Sequence, residues 1–259
     1  MWKYFYILLP TLFIGCFANA QSKFVEGGRI VFERKINTYA VLPEFIGQST
    51  MVSQTEQNAY LQDYKSKNPQ FLVDSFQLIF NTGNTAYEPI GQASAFFNGL
   101  GAPIANSNRI FFNHSKSIFF AEKNAFSETK MISDSIIKIQ WKLTDETREI
   151  AGYTCRRANA LIRDSVYVVA FYTDAIIPKS GPELFVGLPG MILGVALPHY
   201  HISYFAKTVK PEPAIVLPDL ANVKPRANTE TLKDFISEGL EFLKKFNLYN
   251  NWMRVFISL

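Results

Sequence analysis

Three histidines, His114, His199 and His201, are the residues of this 259-residue chain best suited to hold a metal or move a proton near neutral pH. Two of them stand in His199-Tyr200-His201. On an extended strand, residues two apart share a face about 7 Å apart, so both imidazoles would reach one Cu or Zn ion if a third ligand joined them. His114 is the obvious third ligand, and Met191 or Cys155 would be softer ones. The plainer reading is a pair of surface or loop histidines after Pro198, because two ligands alone rarely bind a metal tightly. Cys155 shares its face with Tyr153, while alternation sends Arg156 to the other side. The thiol therefore reads as a buried, structural cysteine. Asp164, Asp174 and Glu183 fall near turns and read as solvated turn acids. The chain contains no HExxH, GxSxG or P-loop pattern, and the expectation is a non-enzymatic protein.

Most of the elements that would position these residues are strands. GGRIVFERK (27–35) alternates Ile30, Phe32 and Arg34 against Val31 and Glu33, and SFQLIFN (75–81) puts Phe76, Leu78 and Phe80 on one face. Residues 52–69 break this alternation with a polar run at helical spacing that Pro69 ends. IFFNHSKSIFFAEK (110–123) reads as a hairpin turning at 113–117. SIIKIQWKLT (135–144) reads as the clearest strand, with Ile137, Ile139, Trp141 and Leu143 facing one way. Strand 165–177 is apolar on both faces. Residues 231–248 carry a helical apolar stripe that starts at a Thr231/Asp234 cap. The expected fold is mainly β (α+β): a curved antiparallel sheet, bowl-like or an open half-barrel, with one inserted helix and a C-terminal covering helix. That helix is expected over the sheet's centre, against Val166, Val168 and Ala170. Tyr167 and Phe171 would then line a ligand hollow for a sugar ring or an acyl chain, unless the protein's own side chains fill it.

The first twenty residues place Lys3 before an apolar run and Ala18-Asn19-Ala20, a signal peptide cut before Gln21. The lipoprotein alternative rests on Phe13-Ile14-Gly15-Cys16, with an anchor at Cys16. Residues 21–259 read as a single domain with no transmembrane span, and Cys155 is their only cysteine. The formal charge of +4 is spread without a basic stripe, so no nucleic-acid partner is expected.

GPELFVGLPG (181–190) brackets a short apolar run with glycine and proline. Leu188-Pro189-Gly190-Met191 suits a type II turn with positive φ at Gly190, and Leu184, Phe185 and Val186 would tuck under the sheet. Gly187-Leu188-Pro189-Gly190-Met191-Ile192 differs by one residue from the hexamer that names the GLPGLI family of secreted bacterial proteins. GRIVFERK, SFQLIFN, IQWKLTDETREIAGYTCRRANA (with Gly152, Tyr153, Cys155 and Ala158) and VAFYTDAIIPKSGPELFVGLPG resemble further stretches of that family. Met191 replaces its usual Leu, and Phe171 a frequent Trp. The resemblance implies an exported, periplasmic or outer-membrane-associated β protein without a settled activity, whose genes often adjoin those of TonB-dependent outer-membrane transporters. It also implies kinship with a bowl-shaped domain ahead of the catalytic part of a bacterial peptide-N-glycosidase. Both points imply a binding or accessory role, with a metal-handling periplasmic protein as the alternative.

Overall fold

The computed structural model describes residues 24–46, 53–91, 105–125, 128–163, 165–217, 229–245 and 251–258. The leader, with Cys16, lies outside the described residues. The chain enters the sheet with β1 (Gly28–Asn37) and leaves it for α1 (Thr38–Ile46) and α2 (Gln54–Lys67). It then runs β2 (Phe71–Phe80), β3 (Asn84–Pro89), β4 (Arg109–Asn113), β5 (Ile118–Ala125) and β6 (Glu128–Ser135). A second series follows: β7 (Lys142–Ile150), β8 (Tyr153–Ile162), β9 (Val166–Thr173), β10 (Met191–Leu197) and β11 (Ile202–Pro211). The two-residue β12 (Thr229–Glu230), α3 (Leu232–Lys245) and α4 (Asn251–Ser258) end the chain.

All twelve strands form one open sheet in the order β12-β6-β5-β4-β3-β2-β1-β11-β10-β9-β8-β7. Every pairing is antiparallel except that of β12 with β6. β1 sits in the middle, between β2 and β11. Each of the other long strands pairs with its neighbour in sequence, apart from β6 and β7. These two are consecutive in the chain yet ten steps apart in the sheet. At about 4.8 Å per step a flat sheet would separate them by about 48 Å. The seven peptide steps from Ser135 to Lys142 reach at most about 25 Å. The sheet is therefore bent well away from flatness while its ends stay unpaired.

This connection overturns the expected strand at 135–144. Residues 136–141 pair with no strand, and β7 begins only at Lys142. Their alternation is real but has another cause, because an extended chain lying across a core also turns every second side chain inward. Ile137 and Ile139 line a cleft of about 30 Å³ with Ile162, Val166, Leu184 and Phe185. The Trp141 indole N–H donates to the Val186 carbonyl at 2.9 Å. Leu143, expected on the same face, is exposed on β7.

Elsewhere period-two patterning is sound. Ile30, Phe32, Arg34 and Ile36 of β1 are all fully buried, as are Phe76, Leu78 and Phe80 of β2. The 110–123 hairpin forms β4 and β5 around the expected turn. β9 is buried on both faces, as its composition demands. α2 carries a Ser53/Glu56 capping box and buries none of its residues. Tyr39 of α1 ties it down by donating to the carbonyls of Lys65 and Asn68. α1, which contains Pro43, has no counterpart in the sequence reading.

α3 starts at the expected cap: the Asp234 N–H donates to Thr231 Oγ1 at 3.1 Å. Leu232, Phe235, Ile236 and Leu243 form its buried stripe. The position of this helix differs from expectation. It packs on β6, near one end of the sheet, and on α4. Val166, Val168 and Ala170 instead belong to the core cluster that holds Val41 and Leu42 of α1 and Val255 and Phe256 of α4. The stripe of α3 is wide enough for any apolar surface, and the short β12 draws the helix to β6.

If residues 136–141 clasp the core as described, Trp141→Phe leaves the Val186 carbonyl without its donor. The predicted loss is about 1–3 kcal/mol of unfolding free energy, the cost of an unmet buried polar group. Denaturant unfolding measures it.

Candidate functional site

The segment from Lys179 to Gly190 is held against one face of the sheet by its own side chains. Leu184, Phe185, Val186 and Leu188 are all at most 3% exposed. Ser180 Oγ meets Thr85 Oγ1 of β3 at 2.9 Å, and the Ile192 N–H donates to the Ser180 carbonyl at 2.8 Å. The turn itself departs from the expected type II geometry. The Gly190 N–H donates to the Leu188 carbonyl at 2.8 Å, a γ-turn centred on Pro189. Positive φ falls at Gly187 (+91°), not at Gly190. Gly190 is glycine for a different reason: a Cβ there would lie 2.1 Å from the Thr173 carbonyl oxygen of β9.

This corner carries Glu183 inward. Its backbone has φ +51° and its residue exposure is 0%, so the expectation of a solvated turn acid is wrong. One Glu183 oxygen accepts from Asn108 Nδ2 at 2.8 Å, and the other has no hydrogen-bond partner among the described residues. Around it lies a set of buried charges that the sequence reading did not assemble. Arg34 of β1 and Asp74 of β2 are register partners, as are Arg34 and Tyr204 of β11. The Arg34 guanidinium meets Asp74 Oδ2 at 2.6 Å, donates to the Ala105 carbonyl at 3.0 Å, and lies 5.2 Å from the Phe76 ring. Lys123 of β5 is 2% exposed, and among the described residues its Nζ has no hydrogen-bond acceptor but faces the Phe235 ring at 5.7 Å.

Electrostatics bind these groups into one unit. Burial opposes the charge on Arg34, yet Tyr204 and Asp74 outweigh it and raise its pKa. Burial raises Glu183, with Lys123 and Asn108 pulling the other way. Burial likewise drives the Lys123 ammonium down to about 8, opposed by Glu183 and assisted by Arg163. Tyr87 and Tyr204 are raised first by burial and then by Glu183. A signal for Arg34, Asp74 and Lys123 was present in the sequence. Each stands in phase with a buried row: Ile30-Phe32-Arg34-Ile36, Asp74-Phe76-Leu78-Phe80 and Phe119-Ala121-Lys123-Ala125.

The other expected site residues are dispersed. His199 lies in a single 3-10 turn (Pro198–Tyr200), and His201 ends it in the left-handed conformation with φ +56°. The strand spacing that would aim both rings at one metal is therefore not there. His114 follows β4, five steps away from β10 in the sheet. Its ring stacks on Phe112, and burial lowers its pKa. Among the described residues no group of three His, Cys, Asp or Glu is placed to hold a metal.

Phe171 is 6% exposed and covered: the Arg148 guanidinium lies 5.8 Å from its ring, and Phe205 packs at 6.3 Å. Tyr167 is half-buried, 6.2 Å from the His199 ring. Cys155 is fully buried, and burial pushes its thiol up to about 12. Asp174 is exposed, and Asp164 lies outside the described residues. A cleft of about 230 Å³ opens elsewhere, between the β5–β6 pair and α3.

No protein-family model and no curated protein matches the chain. Among solved structures it is similar to one described as "Structure of PNGF-II in C2 space group", with a TM-score of 0.52 and 15% identity. That match covers 82% of this chain and 32% of the other. A second, "Structure of PNGF-II in P21 space group", has a TM-score of 0.48 at 16% identity, covering 80% and 31%. The chain thus spans about a third of the length of these neighbours. At such identity the likeness shows the fold: an open, mainly antiparallel sheet with few helices.

Two outcomes follow. Gly190→Ala drives a methyl group into the Thr173 carbonyl, and overpacking of this kind should cost about 2–3 kcal/mol in thermal or denaturant unfolding. Lys123 gives a pH signature. With its folded pKa near 8 and its ordinary value of 10.5, the unfolded chain holds the proton more tightly between these limits. Stability contributed by this site therefore rises as pH climbs through that window. Unfolding free energies measured across it should show the parent gaining on Lys123→Met.

Proposed function

We propose that the chain is an exported, non-enzymatic binding or accessory module of the bacterial cell envelope, of the GLPGLI type. It works beside a TonB-dependent outer-membrane transporter, in the periplasm or on the outer membrane. The observation that carries this reading is the place of the signature corner. Residues 184–188 are packed into the sheet, apart from the exposed Gly187, and Gly190 lies against the β9 backbone. A motif used in this way marks a fold and leaves recognition to the surfaces that the fold presents. The likeness to about a third of a longer solved chain supports the reading as a module. The bent sheet supports a bowl-like form, with the corner and the terminal helices against its inner side.

The experiment is expression of the full chain in a double-membraned bacterium, followed by fractionation, N-terminal analysis and a search of the co-purifying proteins for a TonB-dependent transporter. The expected result is a mature chain beginning at Gln21 in the periplasmic or outer-membrane fraction, with a TonB-dependent transporter co-purifying. An uncleaved chain in the cytoplasm would contradict the proposal, and a lipidated Cys16 would move it to a lipid anchor.

A further inference from the structure

We propose that Lys123 and Asn108 join in an intramolecular isopeptide bond, Nζ to Cγ, with Glu183 moving the protons and ammonia leaving. The bond staples β5 to the residue just before β4, in a chain whose Cys155 has no disulfide partner within residues 21–259.

The register of the β4–β5 hairpin brings the two side chains together. Arg109 pairs with Glu122 and Ile110 with Ala121, so one step further the same register sets Asn108 opposite Lys123. Asn108 is 1% and Lys123 2% exposed, in phase with the buried Ile110 and Ala121, so both point to the same side of the sheet. Side chains directly opposite on antiparallel strands have Cβ atoms about 4.5–5.5 Å apart, a gap that the flexible stem of a lysine spans. Glu183, with 0% exposure, comes down on this pair from the corner and accepts from Asn108 Nδ2 at 2.8 Å. The nitrogen that has to leave is the one that already touches the carboxylate.

The charged groups are costly as they stand. Among the described residues, Lys123 Nζ has no hydrogen-bond acceptor and Glu183 Oε1 has no donor. Buried charges are normally paired and hydrogen-bonded, whereas this ammonium has the Phe235 ring at 5.7 Å. Burial lowers the Lys123 pKa to about 8, and Glu183 is the acid that opposes the shift. Burial also raises Glu183, with Lys123 foremost among the groups that hold it down. A desolvated lysine gives up its proton readily, and the neutral amine is a nucleophile. With exposures of 2% or less at all three residues, water competes poorly for the amide carbon.

The step balances without a further reactant. The Lys123 ammonium gives one proton to the Glu183 carboxylate. The Nζ lone pair then attacks Asn108 Cγ, and the carbonyl π electrons move to Oδ1. Glu183 hands its proton to Nδ2 and takes one from Nζ. As the C=O bond re-forms, the Cγ–Nδ2 bond breaks with its electron pair on nitrogen, and ammonia departs. A secondary amide and a protonated Glu183 remain, so a buried cation and a buried anion are both discharged. Proximity supplies the rest, because amine and amide held side by side react as one molecule. The pH response of Lys123 belongs to the chain before this bond forms, and Asn108→Ala, which cannot link, is the background in which to read it.

Trypsin digestion of the folded full chain, followed by tandem mass spectrometry, reads the bond directly. The expected product is peptide 68–109 joined to peptide 117–130, uncut after Lys123, with their summed mass lowered by one ammonia, about 17 Da. The branched peptide is decisive, because a chain that begins at Gln21 also loses ammonia when that residue cyclises. In Glu183→Gln, linking should slow by at least about a hundredfold, the lower end of what a positioned acid–base group contributes. Separate peptides from the parent, cut after Lys123, would overturn the proposal whether or not Glu183→Gln folds. A branch from Lys123 to Glu183, formed with loss of water, would overturn the choice of Asn108. Undiminished linking in folded Glu183→Gln would overturn the role of Glu183.

Discussion

Strands β6 and β7 follow one another in the chain but stand ten steps apart in the sheet, and the six residues between them are too few to cross a flat one. The rest of the architecture answers to this short tether. A bent sheet has an inner face that is hard to hydrate, and the protein fills it from its own sequence. The corner at 179–190, residues 136–141 and the apolar stripes of α1 and α4 all join the resulting cores. Trp141 joins two of these pieces directly through its bond to the Val186 carbonyl. The hexamer at 187–192 is thus a structural joint, whose residues are chosen by what lies beside them.

Charge inside this filling needs its own explanation. Arg34, Lys123, Asp74 and Glu183 are buried together, two positive and two negative. A buried ion pair is weak evidence of net stabilisation, but removing one partner typically costs about 3–5 kcal/mol. That asymmetry matters in a sheet of long antiparallel strands. A one-residue slip of β1 would turn Arg34 to the opposite face and break its ion pair with Asp74. The pair therefore penalises the wrong register at the middle of the sheet, where β1 joins the two strand series. At the corner, Glu183 combines a left-handed backbone (φ +51°) with a side chain held inside by Asn108, and a strained conformation of this kind persists where the surrounding structure fixes it.

Much of the fold was legible because strand periodicity reports burial directly. Phe76, Leu78 and Phe80 illustrate it, as does the β4–β5 hairpin. The same signal misled at 135–144, since periodicity cannot tell a paired strand from an extended chain on a core. The position of α3 was not legible either, because an apolar stripe does not name the surface that it covers. The histidines and the corner failed on local geometry. A single 3-10 turn removed the His199–His201 face, and a γ-turn moved positive φ from Gly190 to Gly187. The buried charges were readable in principle, since Arg34, Asp74 and Lys123 interrupt apolar rows in phase. Glu183 had no such mark, because a loop has no period.

The central claim is that the corner at 179–190 is part of the core. Native-state hydrogen exchange tests it most directly, since protection reports the free energy needed to open each segment. The amides of Phe185, Gly190 and Ile192 donate to Pro182, Leu188 and Ser180 carbonyls. They should exchange as slowly as those of β9 and β10, through global unfolding. Exchange at rates typical of a surface loop, with the sheet still protected, would contradict the account and return the corner to the class of mobile recognition loops.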